Sequence, residues 1–346
     1  MAKKSSKDEK KLNYVAEIKK LEEEGPRNLY LMYGPEDYLR EQYLIRLKKL
    51  CLPDGEDGFS YRRINGPELD AVELAQAIDA VPFMSERTFI ELRDVDINKL
   101  RQAEEIVKLL ADIPEYCTIA FVQPGGYEPD NRLKQVKAIR EHGYSMNFVQ
   151  QSQSQLYGWV GRRFAAAGKS VDFDAVQRLI FISGDLMNRL IPEIEKIAAY
   201  AKGERVTVSD VDAVAHHIPD ADIFSITEFI AKKEYNNAVE ILSELLADKS
   251  NEPIFILAIL GKQMRQLYAA KLALEQGMDI SKLMEKCKIK YEFVAKKLVS
   301  AARAYELEQL RASLELCAEA DYKMKSSSVD DRELLKELVI RIAAGA

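Results

Sequence analysis

Five short strand candidates, at 29–33, 61–65, 88–92, 117–122 and 145–149, with the most continuous apolar runs at 29–33 and 117–122, punctuate the first 150 residues, and helix-length stretches lie between them at 37–50, 68–80, 97–111 and 131–141. Near-continuous apolar runs of this length suit strands buried on both faces, and the residues between them supply the crossovers that parallel neighbours require. The pattern predicts a mostly parallel sheet covered on both faces by helices, with right-handed crossovers. Ahead of it, Leu12, Val15, Ile18 and Leu21 recur at helical spacing, and Gly25-Pro26 stops that helix.

At Gln150-Gln151-Ser152-Gln153-Ser154-Gln155 the composition turns polar and reads as a linker. No strand pattern returns beyond it. A helical segment runs to about Pro219, punctuated by Gly168, Gly184 and Gly203. Its stretch 186–202 predicts a long helix bearing Leu190, Ile194, Ile197 and Tyr200, which Pro192 should kink or restart. From Asp220 onward helices are expected at 224–232, 235–247, 253–276, 279–287, 291–303, 306–324 and 330–343. Pro253 suits the first turn of its helix with Asn251 as its cap, and Gly277 suits the end of the same helix. No repeat of solenoid period is present. Three domains are expected, at 1–149, 150–219 and 220–346.

A nucleotide-binding α/β domain keeps its phosphate cradle between its first strand and the next helix. That junction here is Gly34-Pro35-Glu36-Asp37-Tyr38-Leu39, with two carboxylates and no lysine before Lys48. A triphosphate would meet negative charge with nothing to neutralise it. The string G-x-x-x-x-G-K-[ST], whose amides, lysine and hydroxyl hold phosphates and magnesium, is absent. The fourth strand leads into Gln123-Pro124-Gly125-Gly126, where hydrolysis would want an acidic pair; a glutamine neither holds magnesium nor takes a proton from water. Gly125-Gly126 reads as a tight turn. There is no G-x-S-x-G elbow and no H-E-x-x-H, and three histidines are too few for a plausible triad. No catalytic residue, cofactor or metal ligand is expected.

The four cysteines, Cys51, Cys117, Cys287 and Cys317, are far apart and without a C-x-x-C pair, which suits isolated buried thiols in a reducing compartment. His216-His217 reads as surface at a helix end rather than as a metal site. The N-terminal lysines Lys3, Lys4, Lys7, Lys10 and Lys11 precede no apolar signal core, and no run is long enough to span a bilayer, so a cytoplasmic protein is expected. A net charge of −6 argues against a chain that grips duplex DNA alone.

The stretch Val81-Pro82-Phe83-Met84-Ser85-Glu86-Arg87-Thr88-Phe89-Ile90 admits two readings. The preceding helix carries Leu69, Val72, Ala75 and Ile78 on one face, and Pro82 then breaks the register. Phe83 and Met84 either close a helix-to-strand corner in the core or form an apolar plug for a partner's pocket, a role that aromatics and methionine commonly take.

The chain resembles, over essentially its full length, the delta subunit of the bacterial DNA polymerase III clamp loader. Tyr30-Leu31-Met32-Tyr33-Gly34-Pro35-Glu36-Asp37-Tyr38-Leu39 is similar to that family's degenerate loop, and Pro82-Phe83-Met84-Ser85-Glu86-Arg87 to its clamp-binding element. Gly184-Asp185-Leu186 with Glu193-Ile194-Glu195-Lys196-Ile197-Ala198-Ala199-Tyr200 matches the middle-domain pattern. Asp222-Ile223-Phe224-Ser225-Ile226, Met264-Arg265-Gln266-Leu267, Asp321-Tyr322-Lys323-Met324-Lys325 and Leu334-Leu335 through Ile342 resemble the third domain.

The resemblance implies an AAA+-like domain, a small helical lid domain and a helical collar domain in a five-membered ring. It implies a subunit that does not hydrolyse ATP, binds the sliding clamp (the beta subunit) and helps hold it open. Its other implied partners are the ATP-hydrolysing gamma/tau subunits, the delta-prime subunit and primer-template DNA, within the polymerase III holoenzyme. The clamp pocket would take Phe83, with Pro82 and Met84 as neighbours; Pro82 stands where relatives carry a leucine. Glu86 and Arg87 would be rim charges that set register. Two other functions stay open on the residues alone. One is an AAA+ ATP-binding switch or ATPase with an unorthodox phosphate loop. The other is a DNA-binding module using Lys262, Arg265, Lys286, Lys288 and Lys290, which are interspersed with glutamates as on a solvated helix face.

Overall fold

The computed structural model describes residues 12–55, 60–82 and 85–345. It divides into two compact units, Met1–Gln151 with Leu186–Asn188, and Ser152–Asp185 with Arg189–Ala346. Among the described residues no helix is long and apolar enough to cross a membrane.

The first unit is the expected α/β domain with a parallel sheet. Helix α1 (Tyr14–Glu24) is followed by strands β1 (Leu29–Tyr33), β2 (Tyr61–Asn65), β3 (Thr88–Arg93), β4 (Cys117–Val122) and β5 (Tyr144–Asn147). They form one parallel sheet in the order β2-β3-β4-β1-β5. Between them lie α2 (Asp37–Cys51), α3 (Ala71–Ile78), α4 (Ala103–Ala111) and α5 (Lys134–His142). Successive side chains of a strand point to opposite faces. Leu29, Leu31, Ile90, Leu92, Ile119 and Phe121 accordingly pack with Leu74, Ile106, Val136 and Ile139 in one core. On the alternate positions, Tyr30 meets Tyr43 of α2 and Tyr144 of β5 at ring separations of 6.3 and 6.4 Å.

Three details differ from expectation. The 97–111 stretch splits into a 3-10 turn, Ile97–Lys99, and α4, because Asp96 caps the turn through the Asn98 N–H. Helix α3 starts only after Asp70, whose carboxylate accepts from the N–H groups of Val72 and Glu73. Its buried residues are Ala71, Leu74, Ala77 and Ile78; Val72, expected on that face, is exposed, and Ala75 is half-buried. Strand β5 ends at Asn147, two residues early.

The second unit is built from helices. In chain order they are α6 (Gln153–Ala166), α7 (Phe173–Ser183), α8 (Met187–Tyr200, its first two residues counted with the first unit), α9 (Val208–Val214), α10 (Pro219–Ala231) and α11 (Tyr235–Ala247). They continue with α12 (Pro253–Glu275), α13 (Ile280–Cys287), α14 (Glu292–Ala302), α15 (Leu307–Ser326) and α16 (Asp331–Ala344). Strand pairing does return, against expectation, as two-residue strands β6 (Ser170–Val171) and β7 (Arg205–Val206) running parallel. The polar run expected as a linker is already helical at Gln153: Ser152 and Gln155 form a capping box. Helix α8 runs through Pro192 without ending, and its Leu190, Ile194 and Ile197 are buried while Tyr200 is exposed. Pro253 does open α12, but Asn251 does not cap it; the Asn251 amide donates to the Leu245 carbonyl at 2.9 Å. The α10 helix begins at Pro219, five residues before the expected start, with Asp220 and Asp222 in its first turn. Its core surrounds α12, where Ile256, Leu260, Met264 and Leu267 join Leu298, Leu310, Leu335 and Val339.

Candidate partner-binding site

The loop after β1 is shaped by the protein's own groups. Gly34 has φ +112°, and a Cβ there would lie 2.6 Å from Asn147 Oδ1 and 2.8 Å from the Phe148 nitrogen. Only glycine fits that approach. The Glu36 N–H donates to the Phe148 carbonyl at 2.9 Å, and the Phe148 N–H to the Tyr33 carbonyl at 2.8 Å. A phosphate cradle needs amides free to face an anion, and here the Glu36 amide is spent on the end of β5.

Its side chains fill the same space. Glu36 is fully buried, and its carboxylate accepts from the Met187 N–H at 3.3 Å, Met187 belonging to the same unit. Arg40 corrects the expectation that nothing in this loop neutralises charge. It is buried, and it donates to the Gly34 carbonyl at 3.0 Å and to Asp37 Oδ1 at 2.5 Å. The cation is therefore consumed within the loop. At the end of β4 the Gln123 side chain is buried with neither amide atom hydrogen-bonded among the described residues. Gly125 lies so close to Asp37 that a Cβ would meet its Oδ1 at 2.9 Å, and Gly126 has φ +81°; both serve a tight turn, as expected.

The turn before β3 lies at the other end of the sheet. All five strands are parallel, so the start of β3 and the exit of β1 are separated by a strand length, roughly 17–20 Å. Phe83 and Met84 lie outside the described residues, as do Lys3, Lys4, Lys7, Lys10 and Lys11. Pro82 is half-buried and Val81 is 70% exposed, an apolar side chain in solvent beside the predicted plug. Sequence reasoning assigned Val81 no role; its place after the end of α3, off the helix's buried face, was the available signal.

The leg from Ser85 to Arg87 is tied to the sheet. The Ser85 and Ser60 hydroxyls are 2.6 Å apart, and Ser85 Oγ donates to the Arg87 carbonyl at 2.9 Å. Arg87 donates to Asn28 Oδ1 at 3.3 Å and to Thr118 Oγ1 of β4 at 3.2 Å. Asn28 in turn donates to the Pro114 carbonyl at 3.1 Å. Arg87 is thus turned toward the sheet rather than set on a rim, because its guanidinium finds two oxygens there; Glu86 remains exposed. Among the described residues, the leg from Ser85 to Arg87 is braced on the sheet and Val81 is exposed before it. Burial raises the nearby Cys51 thiol to about 11, with a contact to Thr118 opposing it, so the thiol stays protonated.

Elsewhere, Cys117 and Cys317 are buried as expected, while Cys287 is half-exposed. Of the basic residues in the second unit, Lys262 pairs with Asp220 at 2.9 Å and Lys290 with Asp185 at 2.6 Å. Arg265, Lys286 and Lys288 are exposed.

Comparison with known proteins places these features in context. Residues 30–148 match the family described as DNA polymerase III, delta subunit, and residues 220–342 match the C-terminal domain of the DNA polymerase III delta subunit. The DNA polymerase III subunit delta of Bacillus subtilis is 24% identical over 323 residues, covering 90% of this chain and 91% of that protein. A probable DNA polymerase III subunit delta of Aquifex aeolicus is 22% identical over 321 residues, covering 90% of each. Among solved structures, the Bacillus subtilis DNA clamp loader delta protein superposes with a TM-score of 0.51 at 22% identity, over 95% of this chain and 99% of that one.

Proposed function

Given that this chain belongs to the delta-subunit family of DNA polymerase III, and so to a subunit of that replicative complex, we propose that it binds the sliding clamp through an apolar plug and helps open it for loading onto primed DNA. The plug is Phe83, flanked by Pro82 and Met84. The observation that carries this reading is the braced leg after the plug: Ser85 is bonded to Ser60, and Arg87 to Asn28 and to Thr118 of β4, while Val81 presents apolar surface to solvent. A short apolar tip on a rigid base suits insertion into a pocket, because little conformational freedom is lost on binding.

Opening a ring requires tighter binding to the opened interface than to the closed one, since equal affinity for both shifts nothing. The subunit hydrolyses no ATP in this reading. The loop where a nucleotide would sit is occupied by Glu36, Asp37 and Arg40 bonding to one another's neighbourhood, with no lysine offered to a phosphate. Gamma/tau subunits would supply the ATP-driven step, and delta-prime would complete a cytoplasmic loader. In this assignment the AAA+-like domain spans 1–149, a lid 150–219 and a ring-forming collar 220–346. Exposed Arg265, Lys286 and Lys288 would meet primer-template DNA through phosphates only.

Co-elution of the purified chain with the cognate clamp tests the proposal. Phe83→Ala is expected to weaken the complex by about 2–4 kcal/mol while leaving the unfolding midpoint unchanged. A variant that unfolds at a much lower temperature yet still carries the clamp makes Phe83 a core residue and ends the assignment.

A further inference from the structure

The connection between α9 and α10, residues 215–218, is fastened along its length to the helices before it. The His216 N–H donates to Glu193 Oε2 of α8 at 2.9 Å, and the His216 carbonyl accepts from Ser183 Oγ at the end of α7 at 2.8 Å. The Ile218 N–H donates to the Ile182 carbonyl at 2.7 Å. Glu193 and Ser183 are both buried, so water does not compete freely for these bonds. His217 Nδ1 lies 3.0 Å from Asp222 Oδ1 in the first turn of α10.

Two further fastenings bear on the same place. Phe181 of α7 meets Phe224 of α10 edge to face at 5.1 Å and Phe293 of α14 at 6.3 Å. Lys297 Nζ sits 4.4 Å from the Phe181 ring centre and 5.8 Å from that of Phe224. Beyond the end of α7, Asp185 accepts from Lys290 at 2.6 Å and from the Tyr291 hydroxyl at 2.9 Å. Backbone bonds, an aromatic cluster with its cation, and an ion pair thus join α7 and α8 to α10 and α14.

We propose that this joint is a weld: within the second unit, helices α6 to α9 and helices α10 to α16 move as one rigid body. A displacement imposed on the α10–α16 helices by a neighbouring molecule would then reach α6–α9 undiminished, whereas a flexible tether would dissipate it. The inference stands apart from clamp binding and would survive its failure.

Native-state hydrogen exchange on the full chain, followed residue by residue in low denaturant, tests it. The His216 and Ile218 amides are expected to exchange within about tenfold of the slow core amides of α12, and with the same denaturant dependence, because a welded joint opens only with the whole unit. Exchange at those two amides a hundredfold faster than in α12, or loss of protection in α6–α9 as a separate earlier step, overturns the weld. Phe181→Ala combined with Glu193→Gln is expected to produce that separate step. If the double variant still opens as one unit with His216 and Ile218 protected, these contacts do not make the joint and the proposal is wrong. Should the double variant fail to fold, the wild-type exchange pattern alone decides.

Discussion

Glu91 is 1% exposed in the middle of β3, and a carboxylate so placed must be paired to stay charged. Burial pushes its pKa up, but hydrogen bonds from Arg93 and Tyr61 and the charges of Arg93 and Lys48 outweigh that, leaving it below the usual carboxylate value. Tyr61 donates at 2.9 Å and Lys48 lies 3.3 Å away, while Arg93 also forks onto Glu41 at 2.6 and 2.8 Å. Glu91→Gln keeps the shape and removes the buried charge that Arg93 and Lys48 face, although Arg93 keeps Glu41, so it is expected to cost about 2–3 kcal/mol in denaturant unfolding at neutral pH. The sign with pH follows from the depressed value. The folded state holds its carboxylate where the unfolded chain binds a proton, so Glu91 stabilises above the ordinary carboxylate range and stops doing so as pH falls through the depressed folded pKa. The gap between wild type and Glu91→Gln should therefore narrow in acid; a gap constant from neutral pH into acid would contradict the pairing. At Gly34, alanine meets both a positive φ and three atoms within 2.8 Å, and is expected to cost about 2 kcal/mol or more in the same assay. The glycine turn and its missing lysine were legible in the sequence. The fates of Arg40, Arg87 and Arg93 were not, because each finds partners that only the folded sheet brings near.

At the scale of elements, the buried strands were the most legible part. Parallel strands covered on both faces are written as continuous apolar runs, and β1 and β4 lie at the expected residues; the edge strand β2 does too, although only its Ile64 is buried. Ends were less so, since caps decide them: Asp70 delays α3, and Ser152 with Gln155 starts α6 inside a run that reads as linker by composition. The two-residue strands β6 and β7 leave no periodicity to read. Ser152→Ala removes an oxygen that accepts from the Gln155 N–H, and is expected to cost about 1 kcal/mol, measured as a shift in the denaturant midpoint. The leg before β3 carries a second prediction. Arg87→Gln shortens the side chain that holds the leg to Asn28 and Thr118, and should weaken clamp binding about five- to thirtyfold, or about 1–2 kcal/mol. Clamp affinity equal to wild type, with the fold intact, would show that this brace does not shape the contact.

For the whole molecule, the question is whether the parallel sheet of the first unit answers to nucleotide. Ligand binding to the folded state alone stabilises it by an amount set by mass action, about 2.7 kcal/mol at a hundred times the dissociation constant. For a unit of this size that is a rise in unfolding midpoint of roughly 5–11 °C. An intact phosphate loop would therefore announce itself in a thermal melt with millimolar ATP and magnesium, even at a dissociation constant in the tens of micromolar. In this chain the Glu36 amide is bonded to Phe148, Arg40 is held by Gly34 and Asp37, and the Glu36 carboxylate accepts from the Met187 N–H. A triphosphate placed against this loop would compete with Asp37 for Arg40 and meet the Glu36 and Asp37 carboxylates. The melt is expected to be unmoved by magnesium ATP at 2 mM, about two hundred times a 10 µM constant. A saturable rise of several degrees, abolished by a substitution in the 34–40 loop, would mean that the loop is a working, unorthodox nucleotide site and that the subunit is switched by ATP itself.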